Sequence, residues 1–381
     1  MTRGVLEVVL DALPSRWPAA PACNAEFLRA FLPIPSSEFL PPIAVGGTPL
    51  LEVPGLRRAL GMRHLWVKDD TRNPSGSTKD RASLLVVAKA REYGCKTIAA
   101  ASTGNAATAL ACIAAASGVH AVVFVPATTP EAKLVQMLSY GAQVLPVQGT
   151  YDDAFELCLA ACREFGWYNR NTALNPFTIE GKKTAALEIA ASLAPECPDV
   201  VLVPTGDGVI LSGVAKGFAD LKRCGLIRCV PRLIAVQPEG SAAIVHALRK
   251  GADTITPVAN AASVADSLTV QAPRNALQCL RVIRGSGGGG VAVSDEAIIR
   301  SIAELARLTG VFAEPAGAAV LAGLHAAMEQ GIVRRDERVV LLVTGSGLKD
   351  VPAASRAVLR PAPIPPNLAA VADRFRRVAE S

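Results

Sequence analysis

From about residue 64 onward, short β-branched runs alternate with helical stretches, and this rhythm admits few folds. Residues 65–68 read as a strand and 79–92 as the helix after it; 97–100, 121–125 and 143–147 read as strands separated by helices over 106–117 and 130–140. A helix over 151–165 follows, its first turn carrying Asp152 and Asp153, which suit the positive helix end. Strands over 199–203, 233–236 and 339–343 alternate with helices over 211–222, 295–308 and 315–329. Repeated βα units of this length predict an α/β protein whose parallel-rich sheets carry helices on both faces, with right-handed crossovers. A chain of 381 residues is too long for one small core and suits two lobes. Hydrophobic residues make up 50% and charged residues 19%, which supports a packed interior rather than extended disorder. The Gly285–Gly290 run reads as a flexible surface loop.

Charge and cysteine usage exclude several function classes. The net charge of +6 is spread along the chain with no basic stripe and no stacking aromatics, so no nucleic-acid partner is expected. Nine cysteines stand at irregular spacings without a C-x-x-C pair; Cys158 and Cys162 read as small buried hydrophobes on a helix. With four scattered histidines, no metal site is expected. The N-terminal stretch matches neither a signal peptide nor a membrane span, and free thiols suit a reducing compartment, so a cytoplasmic protein is expected.

Four loops at strand ends carry chemistry. In Asn73-Pro74-Ser75-Gly76-Ser77-Thr78-Lys79-Asp80-Arg81, turn formers lead into a helix and place Lys79 at its N-terminus. The positive helix end and burial both lower a lysine pKa, leaving the free amine that Schiff-base chemistry requires. A surface lysine beside Asp80 and Arg81 would show the same pattern. Ser102-Thr103-Gly104-Asn105 opens a helix after a strand, where backbone N–H groups can hold a carboxylate; simple capping is the alternative. Thr205-Gly206-Asp207-Gly208-Val209 can form an anion nest suited to phosphate. It is neither a Rossmann fingerprint, since the third glycine falls late at Gly213, nor a Walker loop, since no Gly-Lys-Ser/Thr follows. Thr344-Gly345-Ser346-Gly347-Leu348-Lys349-Asp350 closes the last strand, where a hydroxyl could meet a ring nitrogen or simply make a turn.

Taken together and in this order, the loops resemble those of fold-type-II pyridoxal-phosphate enzymes (tryptophan synthase β-like), most closely the threonine-synthase family. Gly46-Gly47-Thr48-Pro49-Leu50, Tyr151-Asp152-Asp153-Ala154, Asn175-Pro176-Phe177, Ile179-Glu180-Gly181-Lys182-Lys183-Thr184 and Ala313-Glu314-Pro315-Ala316 extend the resemblance over about four fifths of the chain. It implies pyridoxal 5'-phosphate as cofactor, a small amino acid as substrate and a homodimer. It further implies that Lys79 holds the cofactor and moves protons, Asn105 bonds its phenolic oxygen, Gly206, Asp207, Gly208 and Val209 cradle its phosphate, and Thr344 faces its ring nitrogen. Ser102, Thr103 and Gly104 would receive the substrate carboxylate. A cofactor-binding large lobe (44–87 and 181–350), a small mobile lobe (88–180), an N-terminal arm (1–43) and a C-terminal linker and helix (351–381) are expected.

The departures concern substrate. Threonine synthases carry an arginine for the substrate phosphate where this chain has Thr178, here a substrate-binding candidate, and a histidine where it has Ser346. Their phosphate loop reads Gly-Asn-x-Gly-Asn, against Gly206-Asp207-Gly208-Val209-Ile210 here. Lys182, Lys183 and Arg274 are the candidate substitute cations. The leading expectation is a lyase or synthase that eliminates a leaving group from a small amino acid and adds water or another nucleophile. The alternatives are β-replacement or β-elimination, as in cysteate synthase or serine/threonine dehydratase, and a catalytically silent sensor of cofactor or amino acid.

Overall fold

The computed structural model describes residues 5–21 and 24–379. Ten strands form two sheets: β1 (Leu50–Glu52), β2 (His64–Asp69), β3 (Thr97–Ala101), β4 (His120–Pro126), β5 (Gln143–Val147), β6 (Tyr168–Asn169), β7 (Val200–Pro204), β8 (Arg232–Pro238), β9 (Gly289–Val293) and β10 (Arg338–Val343). The six-stranded sheet runs β1-β2-β10-β7-β8-β9, parallel except for β1 against β2. The four-stranded sheet runs β5-β4-β3-β6 and is parallel throughout. The chain therefore leaves the larger sheet after β2, builds the smaller one, and returns at β7.

The continuous apolar runs follow from burial on both faces. In β7, Val200 and Leu202 pack with the helices Asp295–Thr309 and Pro315–Glu329, while Val201 and Val203 pack with Thr184–Leu193 and Val209–Arg223. β10 repeats the alternation, with Val339, Leu341 and Val343 on one side and Val340 and Leu342 on the other. A polar residue at any of these positions would have no face on which to meet water.

The Gly285–Gly290 segment corrects the loop expectation. Gly289 and Gly290 belong to β9, paired in register with Ile234 and Ala235. A Cβ at Gly288 would strike the Leu233 carbonyl, so the run lets two backbones approach rather than conferring flexibility. The N-terminal arm is also better packed than its prolines suggest. Its helix Ala25–Phe31 buries Phe27 and Phe31, and Trp17 stacks on Phe27 with ring centroids 6.4 Å apart. Among the described residues, no helix is long and apolar enough to cross a membrane.

Helix Phe177–Lys182 lies against the Lys79 helix (Lys79–Glu92) at a glycine contact. A Cβ on Gly181 would collide with the Arg81 carbonyl and come within 2.9 Å of the Ala82 Cα, both rigid backbone. Gly181→Ala should therefore destabilise the fold by about 1–3 kcal/mol, in the manner of core overpacking. It should also shift Lys79, which sits two residues before Arg81. A denaturation midpoint equal to wild type would show that the helices separate freely.

Candidate active site

Strand ends of both sheets converge on one cleft of about 2240 Å³, lined by Lys79, Ser102–Asn105, Gly206–Val209 and Glu314. That exceeds the roughly 300–1,000 Å³ of an ordinary small-ligand pocket and leaves room for a cofactor and a substrate together.

Lys79 is the first residue of its helix, and the turn before it is fixed from two sides. The Asp80 carboxylate accepts from Ser75 N–H (2.7 Å) and Ser75 Oγ (2.5 Å), folding the Asn73–Thr78 loop back onto the helix. Burial raises the Asp80 carboxyl to about 6 even though both Ser75 bonds oppose the rise. On the other side, Thr78 N–H donates to the Thr344 carbonyl (2.8 Å), Ser346 N–H donates to the Gly76 carbonyl (2.9 Å), and Ser77 bridges Gly345. The first and last of the four loops are thus one structure. Lys79 is half-buried. Burial lowers its amine to about 8, with Glu314 opposing and Arg170 assisting.

Beneath this helix lies a buried ion network. Arg81 donates to Asp70 from Nε (2.8 Å) and Nη2 (2.7 Å), and to Glu188 from Nη1 (2.6 Å) and Nη2 (2.8 Å). Lys68 Nζ donates to Glu188 and to the Thr48 carbonyl, both at 2.6 Å. Burial alone would raise the Asp70 and Glu188 carboxyls; Arg81 above all, with Lys68 adding, holds both below their usual values. The Gly46-Gly47-Thr48 motif belongs here, because Gly47 N–H donates to Glu188 (2.9 Å) and Thr48 Oγ1 to Asp70 (2.8 Å).

The Gly206–Val209 loop opens the fifteen-residue helix Val209–Arg223. Gly208 takes φ +86°, and a Cβ there would meet Cys279 Cβ at 2.8 Å. Among the described residues, the N–H groups of Gly206 to Val209 have no acceptor. The Asp207 carboxylate accepts instead from Arg274 N–H (3.0 Å), and its carbonyl accepts from Asn275 N–H (3.1 Å). Four free N–H groups at a helix start, with the loop's one carboxylate bonded elsewhere, suit a phosphate. With the lysine amine across the cleft, this donor set fits pyridoxal phosphate.

Residues 42–345 match the family described as pyridoxal-phosphate dependent enzyme. The chain belongs to that family. Its cofactor is pyridoxal phosphate, and its fold is type II. It is 40% identical over 332 residues to the threonine synthase of Methanocaldococcus jannaschii, covering 87% of this chain and 82% of the relative. The Methanosarcina acetivorans threonine synthase is 39% identical over the same shares. In fold, the chain matches the processed form of threonine deaminase isoform 2 from Solanum lycopersicum, with a TM-score of 0.73 and 22% identity over 93% of this chain and 98% of that one.

Not every candidate residue reaches the cleft. The cleft wall includes Lys79, Ser102, Thr103, Gly104, Asn105, Gly206, Asp207, Gly208 and Val209 but neither Thr344 nor Thr178. Thr178 is a correction: it is fully buried, and its hydroxyl donates to the Asn175 carbonyl (2.8 Å), because a short side chain on a tight helix finds its own backbone first. Thr344 contributes its carbonyl to Thr78, as above. Ser346 caps a short helix, its Oγ accepting from Leu348 N–H (3.3 Å). Asn105 Nδ2 donates to Glu314 at 2.8 and 3.1 Å, a contact that joins the two sheets' loops. Glu314, Arg170 and Lys182 also line the cleft. Glu314 lay in a recognised motif without a role, whereas Arg170 follows the two-residue strand β6, too short to leave a periodic signal.

The lowered lysine value has a definite sign. Below about 8 the amine is charged in both folded and unfolded chains, and burial of the charge destabilises the cofactor-free protein in full. Between about 8 and the ordinary 10.5, only the unfolded chain keeps the proton, so stability rises with pH across that window. Cofactor capture by the stripped protein should likewise quicken with pH and level off above about 8, read from growth of cofactor absorbance. A rate still climbing at pH 10 would mean that the amine is not desolvated.

Proposed function

We propose that the cleft eliminates a leaving group from the side chain of a small amino acid and adds water to the product, a carbon–oxygen lyase reaction of the threonine-synthase type. The observation that carries this is Lys79, whose amine burial lowers to about 8, sharing one cleft with the Ser102–Asn105 loop and with the four free N–H groups of Gly206 to Val209. The 40% identity to a threonine synthase supports the reaction type. When bound, pyridoxal phosphate supplies the electron sink that makes the substrate's Cα proton removable.

The chain's own residues do the rest. Gly206 to Val209 hold the cofactor phosphate on backbone N–H groups at a helix start. Lys79 Nζ anchors the cofactor, then takes the Cα proton and returns protons along the substrate chain. Ser102, Thr103 and Gly104 hold the substrate carboxylate, and Asn105, oriented by Glu314, faces the cofactor's phenolic oxygen. The loops of the smaller sheet, residues 88–180, close over the site and exclude water. Contacts such as Lys133–Asp266 (2.6 Å) and Arg274–Asp152 (3.4 Å) cross the cleft between exposed side chains, and pairs of this kind contribute little. Opening the cleft therefore sacrifices little from these pairs.

The test is product analysis on the loaded enzyme with O-phosphohomoserine, O-phosphoserine (with and without sulfite), serine and threonine. Threonine and inorganic phosphate from the first are expected. Ammonia and an oxo acid from serine or threonine alone would replace this reading with a dehydratase.

A further inference from the structure

The described cysteines are all free, and among them only Cys229 is exposed. Cys112, Cys158, Cys162 and Cys279 are buried, out of reach of a dissolved oxidant. Cys229 has a neighbour. The Cys197 thiol, itself buried, donates to the Cys229 carbonyl at 3.4 Å, and the two thiols hydrogen-bond to each other. Cys158 and Cys162 also touch, but both lie inside the smaller sheet's core on one helix.

Strand register brings Cys197 and Cys229 together. β7 and β8 are parallel neighbours with Val200 opposite Arg232, and Arg232 N–H extends the ladder to the Asp199 carbonyl (2.9 Å). Cys197 stands three residues before Val200 and Cys229 three before Arg232, so the same offset sets them side by side. Neighbouring strands run about 4.7–4.9 Å apart, inside the roughly 4.4–6.8 Å that a disulfide spans between Cα atoms. Pro198 follows Cys197 and Pro231 lies two residues after Cys229; a fixed φ in each connection limits how far the pair can swing apart. Burial, and then Cys229, push the Cys197 thiol up to about 12. Cys197 therefore stays protonated near neutral pH, and the exposed Cys229 is the thiol that meets an oxidant first.

We propose that Cys197 and Cys229 are a modification site, forming an intramolecular disulfide by exchange with a low-molecular-weight disulfide. The Cys229 thiolate attacks one sulfur of the small disulfide, whose S–S bond breaks and releases the first small thiolate. Cys197 then gives its proton to solvent and attacks Cys229 Sγ, expelling the second. Two protein thiols lose two electrons in all, and one small disulfide becomes two thiols. The new bond staples the N-terminal ends of β7 and β8, whereas the cleft lies beyond their C-terminal ends, past Pro204. It stabilises the larger sheet without touching the Gly206–Val209 loop.

The test incubates cofactor-loaded protein with oxidised glutathione and reads a non-reducing peptide map and the melting temperature. Wild type should give a cross-linked peptide pair carrying Cys197 and Cys229 and melt about 3–8 °C higher, the effect of constraining the unfolded chain. Excess dithiothreitol should reverse both changes. Cys197→Ser should stop with glutathione on Cys229 and no rise in Tm, and Cys197→Ala should show the same arrest without burying a hydroxyl. Cys229→Ser should leave Cys197 unmodified. All three variants should trap the cofactor on Lys79 as wild type does. Glutathione that stays on Cys229 of the wild type would overturn the proposal. So would a bond from either cysteine to any other thiol, or a cross-linked protein that melts no higher than the reduced one.

Discussion

Lys79→Ala should abolish covalent cofactor capture and lower turnover by about a thousandfold or more, because it removes both the anchor and the group that moves protons. The measurement is the mass of borohydride-treated protein and its peptides: wild type gains one reduced cofactor on the Lys79 peptide, the variant none. Three other lysines, Lys133, Lys182 and Lys349, line the same cleft, so the expectation discriminates. Lys349 donates to Gln136 Oε1 (2.7 Å), and Lys133 pairs with Asp266 (2.6 Å). Lys182 is more deeply buried than Lys79. Lys79 alone combines a half-buried amine, a value lowered to about 8 and a backbone fixed by Asp80 on one side and Thr344 on the other. A trapped adduct on Lys182 or Lys349 in the wild type would sink the assignment.

Arg81→Leu should cost about 3–5 kcal/mol of stability, the range for breaking a buried ion pair from one side. The loss follows from what remains. Asp70 and Glu188 stay buried, and Lys68, bonded to Glu188 at 2.6 Å, is the one cation left between two carboxylates. Both carboxyls would then rise toward protonation, since burial dominates once the guanidinium is gone. Stability should recover in part as pH falls toward their new values, opposite to the wild type, in which Asp70 and Glu188 are lowered and stability is lost as they protonate. Urea midpoints at neutral and mildly acidic pH read both effects. A loss under about 1 kcal/mol would mean that the network relaxes around the gap. Because the Arg81 helix begins at Lys79, cofactor affinity should fall with stability.

The network also shows why some motifs look functional before they can be explained. Gly46-Gly47-Thr48 never touches the cleft; it supplies an N–H to Glu188 and a hydroxyl to Asp70 that hold the Lys79 helix in place. Asp207 is the converse case. An acid in a phosphate loop reads as a liability until its carboxylate is found on Arg274 N–H, a bond between residues far apart in the chain. Glu314 lay in a recognised segment, Ala313-Glu314-Pro315-Ala316, but its bond to Asn105 joins opposite walls of the cleft and leaves no local trace.

Periodicity was enough to read the alternating βα architecture, and four loops in order, through their resemblance to a known family, were enough to read the cofactor class and to nominate Lys79 as its anchor. Each rests on neighbours within a few residues: a buried parallel strand must be apolar on both faces, and a helix start after turn formers must present free N–H groups. The fate of the cations depended on packing. Thr178 and Lys182 lie one helical turn apart and are both buried, yet Thr178 satisfies its own backbone while Lys182 lines the cleft with no hydrogen bond or ion pair among the described residues. Lys183, the next residue, is neutralised by Glu180 and Asp220. Adjacent lysines of identical chemistry thus meet opposite surroundings, because a charge is defined by what the folded chain places within a few ångströms of it, and those groups come from elsewhere in the sequence.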